Sequence, residues 1–174
     1  GGISVFDGKN YRNLTTADGL PDNDTNAILE DRTGKIWIAS RGALSTFDGK
    51  TFTVIYKKAL PQSASEVEKN SNSFYNVRNI IEDREGNIWF GGKDGLWRYG
   101  NDGLTQFANE FTGYVFEDSK GNIWTSSDAV NGAGEWRLSR FTTESLNGKT
   151  ATPDSILQRR DMFFGITEDT EGNI

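Results

Sequence analysis

The sequence predicts an all-β fold: a β-propeller segment of four-stranded antiparallel blades, about three blades plus parts of a fourth. Three observations predict it. An eight-residue word, Glu-Asp-x-x-Gly-x-Ile-Trp, is written at Glu30–Trp37, Glu82–Trp89 and Glu117–Trp124, and a fourth copy, Glu168–Ile174, stops before its Trp. The copies begin at 30, 82, 117 and 168, so the periods are 52, 35 and 51 residues, a range that signals a repeat architecture. A second word follows at fixed spacing. Leu44, seven residues after Trp37, leads into Phe47-Asp48-Gly49-Lys50-Thr51-Phe52, and Leu96, seven after Trp89, leads into Tyr99-Gly100-Asn101-Asp102-Gly103-Leu104. Composition agrees: 20 Gly, 12% aromatic residues and no stretch of helical periodicity as long as eleven residues.

The first word reads as a β-hairpin. Ile28-Leu29, Ile80-Ile81, Val115-Phe116 and Ile166-Thr167 precede the four Glu residues, and consecutive apolar positions mark a strand covered on both faces. Asp31, Asp83, Asp118 and Asp169 start the turn, because a carboxylate accepts from backbone N–H groups two residues on. Gly34, Gly86, Gly121 and Gly172 supply the positive φ it needs. Trp37, Trp89 and Trp124 open the return strand, and their fixed repeat position predicts packing between blades. Asp-Gly in the second word signals another hairpin. Each unit is then four strands, A to D.

Taken in order, residues 1–14 read as strands C and D of a partial blade, and Asp18–Asn23 as the loop to the next. Residues 26–56 form a complete blade with strands at 26–31, 35–40, 43–48 and 51–56. A polar loop, 57–76, follows, in which Ser65–Lys69 could make one exposed turn at most. Residues 77–107 form a second blade with a weak fourth strand near 104–107. Residues 112–151 form a third, irregular one. Trp124 to Leu138 is 14 residues, against seven elsewhere, which places an insert between strands B and C, roughly Asp128 to Trp136. Asn147-Gly148-Lys149 echoes Asp48-Gly49-Lys50 and is expected to be the C–D turn. Residues 163–169 read as strand A of a partial unit, 163–174.

This pattern resembles the two-component-regulator propeller repeat of bacterial sensor and envelope proteins, over nearly the whole chain except inserts near 57–76, 127–136 and 142–162. Spacing separates it from Asp-box repeats, which place Trp five residues after Asp where Trp37 follows Asp31 by six. The resemblance implies a longer protein, often with seven blades per ring, and an extracytoplasmic location in the periplasm or cell envelope. It implies a non-enzymatic ligand-sensing or protein-interaction module, like the input region of two-component sensors. The alternatives are a lyase- or lactonase-type propeller enzyme and a purely structural scaffold.

Net charge is −6 and the pI near 4.8, so a nucleic-acid footprint is lacking. Eight of the 25 acidic residues are the repeated Glu-Asp pairs. Neighbouring strand residues point to opposite faces, so these pairs do not form a converging acid–base dyad. The chain has no Cys and no His, which removes thiolate chemistry and the commonest general base and metal ligand. Asp22-x-Asp24-x-Asn26 starts like a calcium loop but has Ala27 and Thr33 at its sixth and twelfth positions. No cofactor, metal site or membrane span is expected.

Connections in an up-and-down blade alternate between its ends: A–B and C–D at one, B–C and D–A at the other. The inserts 57–76, 127–136 and 150–162 are read as B–C or D–A connections, which predicts a single insert-bearing face. Asp128, Trp136 and Arg137 beside the B–C insert, with Arg159 and Arg160 on the last linker, are the candidate contacts for a small molecule, oligosaccharide or protein.

Overall fold

The computed structural model describes residues 1–57, 77–129, 134–147 and 151–174. Residues 58–76 of the long loop, 130–133 of the B–C insert and Gly148-Lys149 of the expected turn lie outside the described residues. The chain divides into two compact units, Gly1–Val77 and Arg78–Ile174.

In the first unit, β1 (Ile3–Phe6) and β2 (Tyr11–Leu14) pair antiparallel. β3 (Thr25–Glu30), β4 (Ile36–Ser40), β5 (Ala43–Phe47) and β6 (Phe52–Lys57) form a four-stranded sheet in chain order. The two Asp-Gly-Lys turns are built alike. Asp7 Oδ1 accepts from the Lys9 and Asn10 N–H groups at 2.8 and 2.7 Å, and Asp48 Oδ1 from those of Lys50 and Thr51 at the same distances. A 3-10 turn, Thr16–Asp18, leads from β2 towards β3 and is held by reciprocal capping between Thr15 and Asp18. Trp37, Ile38 and Leu44 are buried in the middle of the sheet.

The second unit holds two such sheets. One is β7 (Asn79–Glu82), β8 (Ile88–Gly92), β9 (Gly95–Gly100) and β10 (Gly103–Ala108). The other is β11 (Thr112–Glu117), β12 (Ile123–Asp128), β13 (Trp136–Phe141) and β14 (Asp154–Arg159), with a one-turn helix, α1 (Thr143–Leu146), between its last two strands. β11 packs against β8 and β7. Gly91 permits this approach, since a Cβ there would stand 2.8 Å from the Thr112 carbonyl oxygen. Trp89, Leu96, Val115, Ile123 and Phe141 form the core. Burying each such side chain contributes roughly 1.5–3 kcal/mol.

Each outer strand carries a bulge at the same place. Leu44 pairs with Tyr56 and Ser45 with Val54, which leaves Ile55 over; Phe107 and Ile156 are left over likewise. In the second blade the bulged residue turns inward, with the Phe107 ring 4.8 Å from that of Trp89.

Four expectations are corrected. The third blade does not end at 151: its fourth strand is β14, which ends at Arg159. Asn147 is the C-cap of α1 rather than a hairpin turn. The helix forms because Thr142 caps it, its Oγ1 accepting from Ser145 N–H at 3.2 Å, and because Leu146 and Ala151 bury against the core. The insertion at 142–153 therefore joins strands C and D and lies at the opposite end of its blade from the B–C insert, so the inserts do not share one face. Finally, residues 163–169 form no strand. No described strand offers them a ladder, and Phe163 N–H instead reaches Ser126 Oγ at 3.2 Å. The turn of the fourth word does close, with Gly172 N–H donating to the Asp169 carbonyl oxygen at 3.1 Å.

Candidate functional site

The repeated word builds a rigid frame before it builds a site. In all three complete copies the Asp carboxylate closes its own turn and accepts the indole N–H of its Trp. Trp37 Nε1 donates to Asp31 at 2.7 Å, Trp89 to Asp83 at 2.7 Å and Trp124 to Asp118 at 2.8 Å. The indoles are 5%, 0% and 7% exposed, so the bond removes the cost of burying an N–H unpaired. A cation lies near each ring: Lys35 at 5.7 Å from Trp37, Arg98 at 5.5 Å from Trp89 and Arg140 at 5.7 Å from Trp124. The three environments are alike.

These bonds control titration. Burial pushes the Asp31 carboxyl up, but hydrogen bonds from the Thr33 hydroxyl, the Trp37 indole and the Lys35 and Thr33 N–H groups outweigh it and hold it at about 2. Asp118 is lowered in the same way: burial opposes, while Trp124 and Asn122 prevail.

The Glu of the word has a separate task, linking one repeat to the next. Glu117 accepts from Arg84 N–H at 3.0 Å and from its Nε at 2.9 Å, and Arg84 Nη2 donates to the Asp118 carbonyl at 2.6 Å. Glu168 accepts from Ser119 N–H at 2.6 Å and from its Oγ at 2.7 Å. In both cases the donor is the residue that follows Asp in the preceding word.

The structure brings most of the candidate contacts together. Asp128 pairs with Trp136 across β12 and β13, and Trp136 with Arg159 across β13 and β14. An acid, an indole and a guanidinium thus stand side by side at one end of the blade. Trp136 is half-buried and meets Phe111 edge-on at 5.6 Å. Arg159 is exposed at the strand end, not on a linker, and stacks on Phe163 at 4.1 Å. Arg160, next in the chain, is exposed. Arg137 takes a different part: its Nη2 donates to the Ala129 carbonyl at 2.9 Å and ties down the base of the insert. Gln158 does the same from β14, donating to Glu135 at 2.6 Å.

Sequence reasoning did not find a groove of about 840 Å³ at the C–D end of the second blade, lined by the β9–β10 hairpin and by Leu146, Asn147 and Ala151. Arg98 and Phe107 line it. The signal present in the sequence is only the length of the stretch after 142, whose reading is a C–D turn at Asn147-Gly148-Lys149 followed by a linker from 150. Among the described residues no group of three His, Cys, Asp or Glu side chains is placed to hold a metal ion, and no helix is long and apolar enough to cross a membrane.

Residues 19–42 and 71–94 match the model of the two component regulator propeller, and each matched segment contains one copy of the word. No curated protein matches the sequence. Among solved structures, the chain is similar to the extracellular domain of a B. thetaiotaomicron protein assigned to a hybrid two component system. The two share 20% identity at a TM-score of 0.68, over 98% of this chain and 23% of that one. Another B. thetaiotaomicron extracellular domain, of a protein assigned to a one component system, aligns at 16% identity and a TM-score of 0.39, over 88% of this chain and 32% of that one. The chain thus spans less than a third of the length of either structure, and the first likeness is one of fold.

Proposed function

We propose that this chain, which carries two-component regulator propeller repeats, is a non-enzymatic ligand-sensing or protein-interaction module of an extracytoplasmic input region. The observation that supports the reading is the alignment of Asp128, Trp136 and Arg159 across three neighbouring strands, beside an insert absent from the other blades. A flat indole between a carboxylate and a guanidinium offers stacking together with donors and acceptors, the chemistry of a binding surface. The rest of the blade keeps this end rigid, as recognition on a scaffold requires. Arg160 extends the same surface, and Arg137 acts by holding the insert.

The test is retention on a glycan array by the wild-type chain, Trp136→Ala and Arg159→Ala. Loss of at least tenfold in both variants, with unchanged thermal stability, is expected. Equal retention by all three would move the working surface elsewhere.

A further inference from the structure

We propose that Arg98 is the anchor of a second binding site, at the C–D end of the second blade, which takes the carboxylate of a small organic acid. The argument is a comparison of two matched positions. Arg98 pairs with Trp89 across β8 and β9, as Arg140 pairs with Trp124 across β12 and β13. Each guanidinium lies near the ring of the indole opposite it. In the third blade the next strand places Asp154 opposite Arg140, and the two form an ion pair at 2.7 Å. In the second blade the residue opposite Arg98 is Thr105, which has no charge. The Arg98 side chain makes no hydrogen bond or ion pair with any described residue.

Its position is fixed nonetheless. The guanidinium lies 4.9 Å from the Phe107 ring and 5.5 Å from the Trp89 ring, so two aromatic side chains hold the head group where Arg98 lines the groove. A planar fork of donors suits a carboxylate held by two parallel hydrogen bonds. Asp154 shows which group the matching position accepts when the chain supplies it. Here the space in front of Arg98 and Thr105 belongs to the groove of about 840 Å³, within the range of small-molecule sites. Glu85 and Asp102 line the same groove and repel further negative charge. The ligand therefore carries one carboxylate on an otherwise neutral body, with the Thr105 hydroxyl and the Asn87 amide nearby in the lining.

The test uses the folded chain and acetate as the probe. The Arg98 Nε–Hε resonance, assigned by its loss in Arg98→Lys, is followed by NMR at constant ionic strength. Acetate is expected to shift it saturably, while acetamide and chloride are not. Thr105→Asp, which rebuilds the third-blade pair, is expected to weaken the acetate response at least tenfold; Asp154→Ala should make Arg140 acetate-responsive. An arginine that serves packing alone would respond to acetate no more than to chloride, and that result overturns the site. An undiminished response in Thr105→Asp would overturn the assignment to Arg98. Because the wild-type titration decides the first point, a variant that fails to fold does not remove the test.

Discussion

The two blades of the second unit, β7–β10 and β11–β14, share one frame and differ at its margins. Both close the same Asp turn, bury the same Trp on the same carboxylate and set an arginine over it. One has a tight C–D turn and an arginine with no counterion among the described residues. The other has a twelve-residue connection with a capped helix, an insert between its middle strands and an arginine paired with Asp154. The difference separates what the fold demands from what it leaves open. Residues that recur at fixed spacing meet hydrogen-bonding needs that every blade has. Residues that do not recur mark where one blade has been adapted.

The largest effect should come from the shared frame. Trp89→Ala removes a fully buried indole from the core, and a loss of about 3–5 kcal/mol is expected in chemical denaturation. Trp124→Ala, at 7% exposure, should fall at the low end of that range. If either variant loses less than about 1 kcal/mol, the two blades do not rest on a common frame.

Next comes the carboxylate beneath the indole. Asp118→Ala strands four donors: the Lys120 and Asn122 N–H groups, the Asn122 amide and the Trp124 indole. A cost of about 1–3 kcal/mol follows. The same bonds predict a pH dependence. Asp31 is depressed from the usual 3.8 to about 2, and Asp118 is depressed likewise. The unfolded chain therefore takes up protons on these groups before the folded one does. Their contribution is complete above about pH 4 and is lost as pH falls from 3.8 towards 2. Urea midpoints measured from pH 5 to pH 2 should show this fall, and Asp118→Asn should flatten part of it. A midpoint independent of pH over that window would mean the turn carboxylates gain nothing from folding.

How much of this was legible in the sequence depended on range. The Asp–Trp bond spans six residues, so its trace is a spacing, and the spacing was readable. The Glu clasp spans 33 and 49 residues, so no short spacing marks the task of Glu117 and Glu168. β14 was missed for a local reason. The bulge at Ile156 puts Ile156 and Leu157 in succession and breaks the period-two alternation that marks a half-exposed strand. Asn147-Gly148-Lys149 falls within the connection between β13 and β14, but that connection runs from 142 to 153 and carries a helix, where a tight hairpin was expected. Among the candidate contacts, proximity to the insert was enough to single out Asp128, Trp136 and Arg137, but the alignment with Arg159 required β14.

The clasp between the two blades gives a smaller effect. Glu117→Gln keeps one acceptor for Arg84 N–H and removes the charge. Arg84 is 48% exposed and Glu117 16%, so a loss of about 0.5–1 kcal/mol is expected, reduced by added salt. Glu168→Gln faces the neutral donors of Ser119, so its cost should be insensitive to salt. Equal salt dependence in the two variants would show that the junctions do not differ as their partners do.

The smallest effect concerns the pair that distinguishes the blades. Arg140 and Asp154 are 37% and 53% exposed, and ion pairs so open to solvent contribute roughly 0–1 kcal/mol. A double-mutant cycle on Arg140→Met and Asp154→Ala should return a coupling below about 1 kcal/mol, mostly abolished in molar salt. A small value has a consequence for the neighbouring blade. If the counterion is worth little to the fold, a chain with Thr105 in its place loses little stability, and the arginine opposite is released for another partner. A coupling of several kcal/mol would instead make the absence of a carboxylate at Thr105 a serious defect in the second blade. The likeness between Arg98 and Arg140 would then no longer describe two uses of one position.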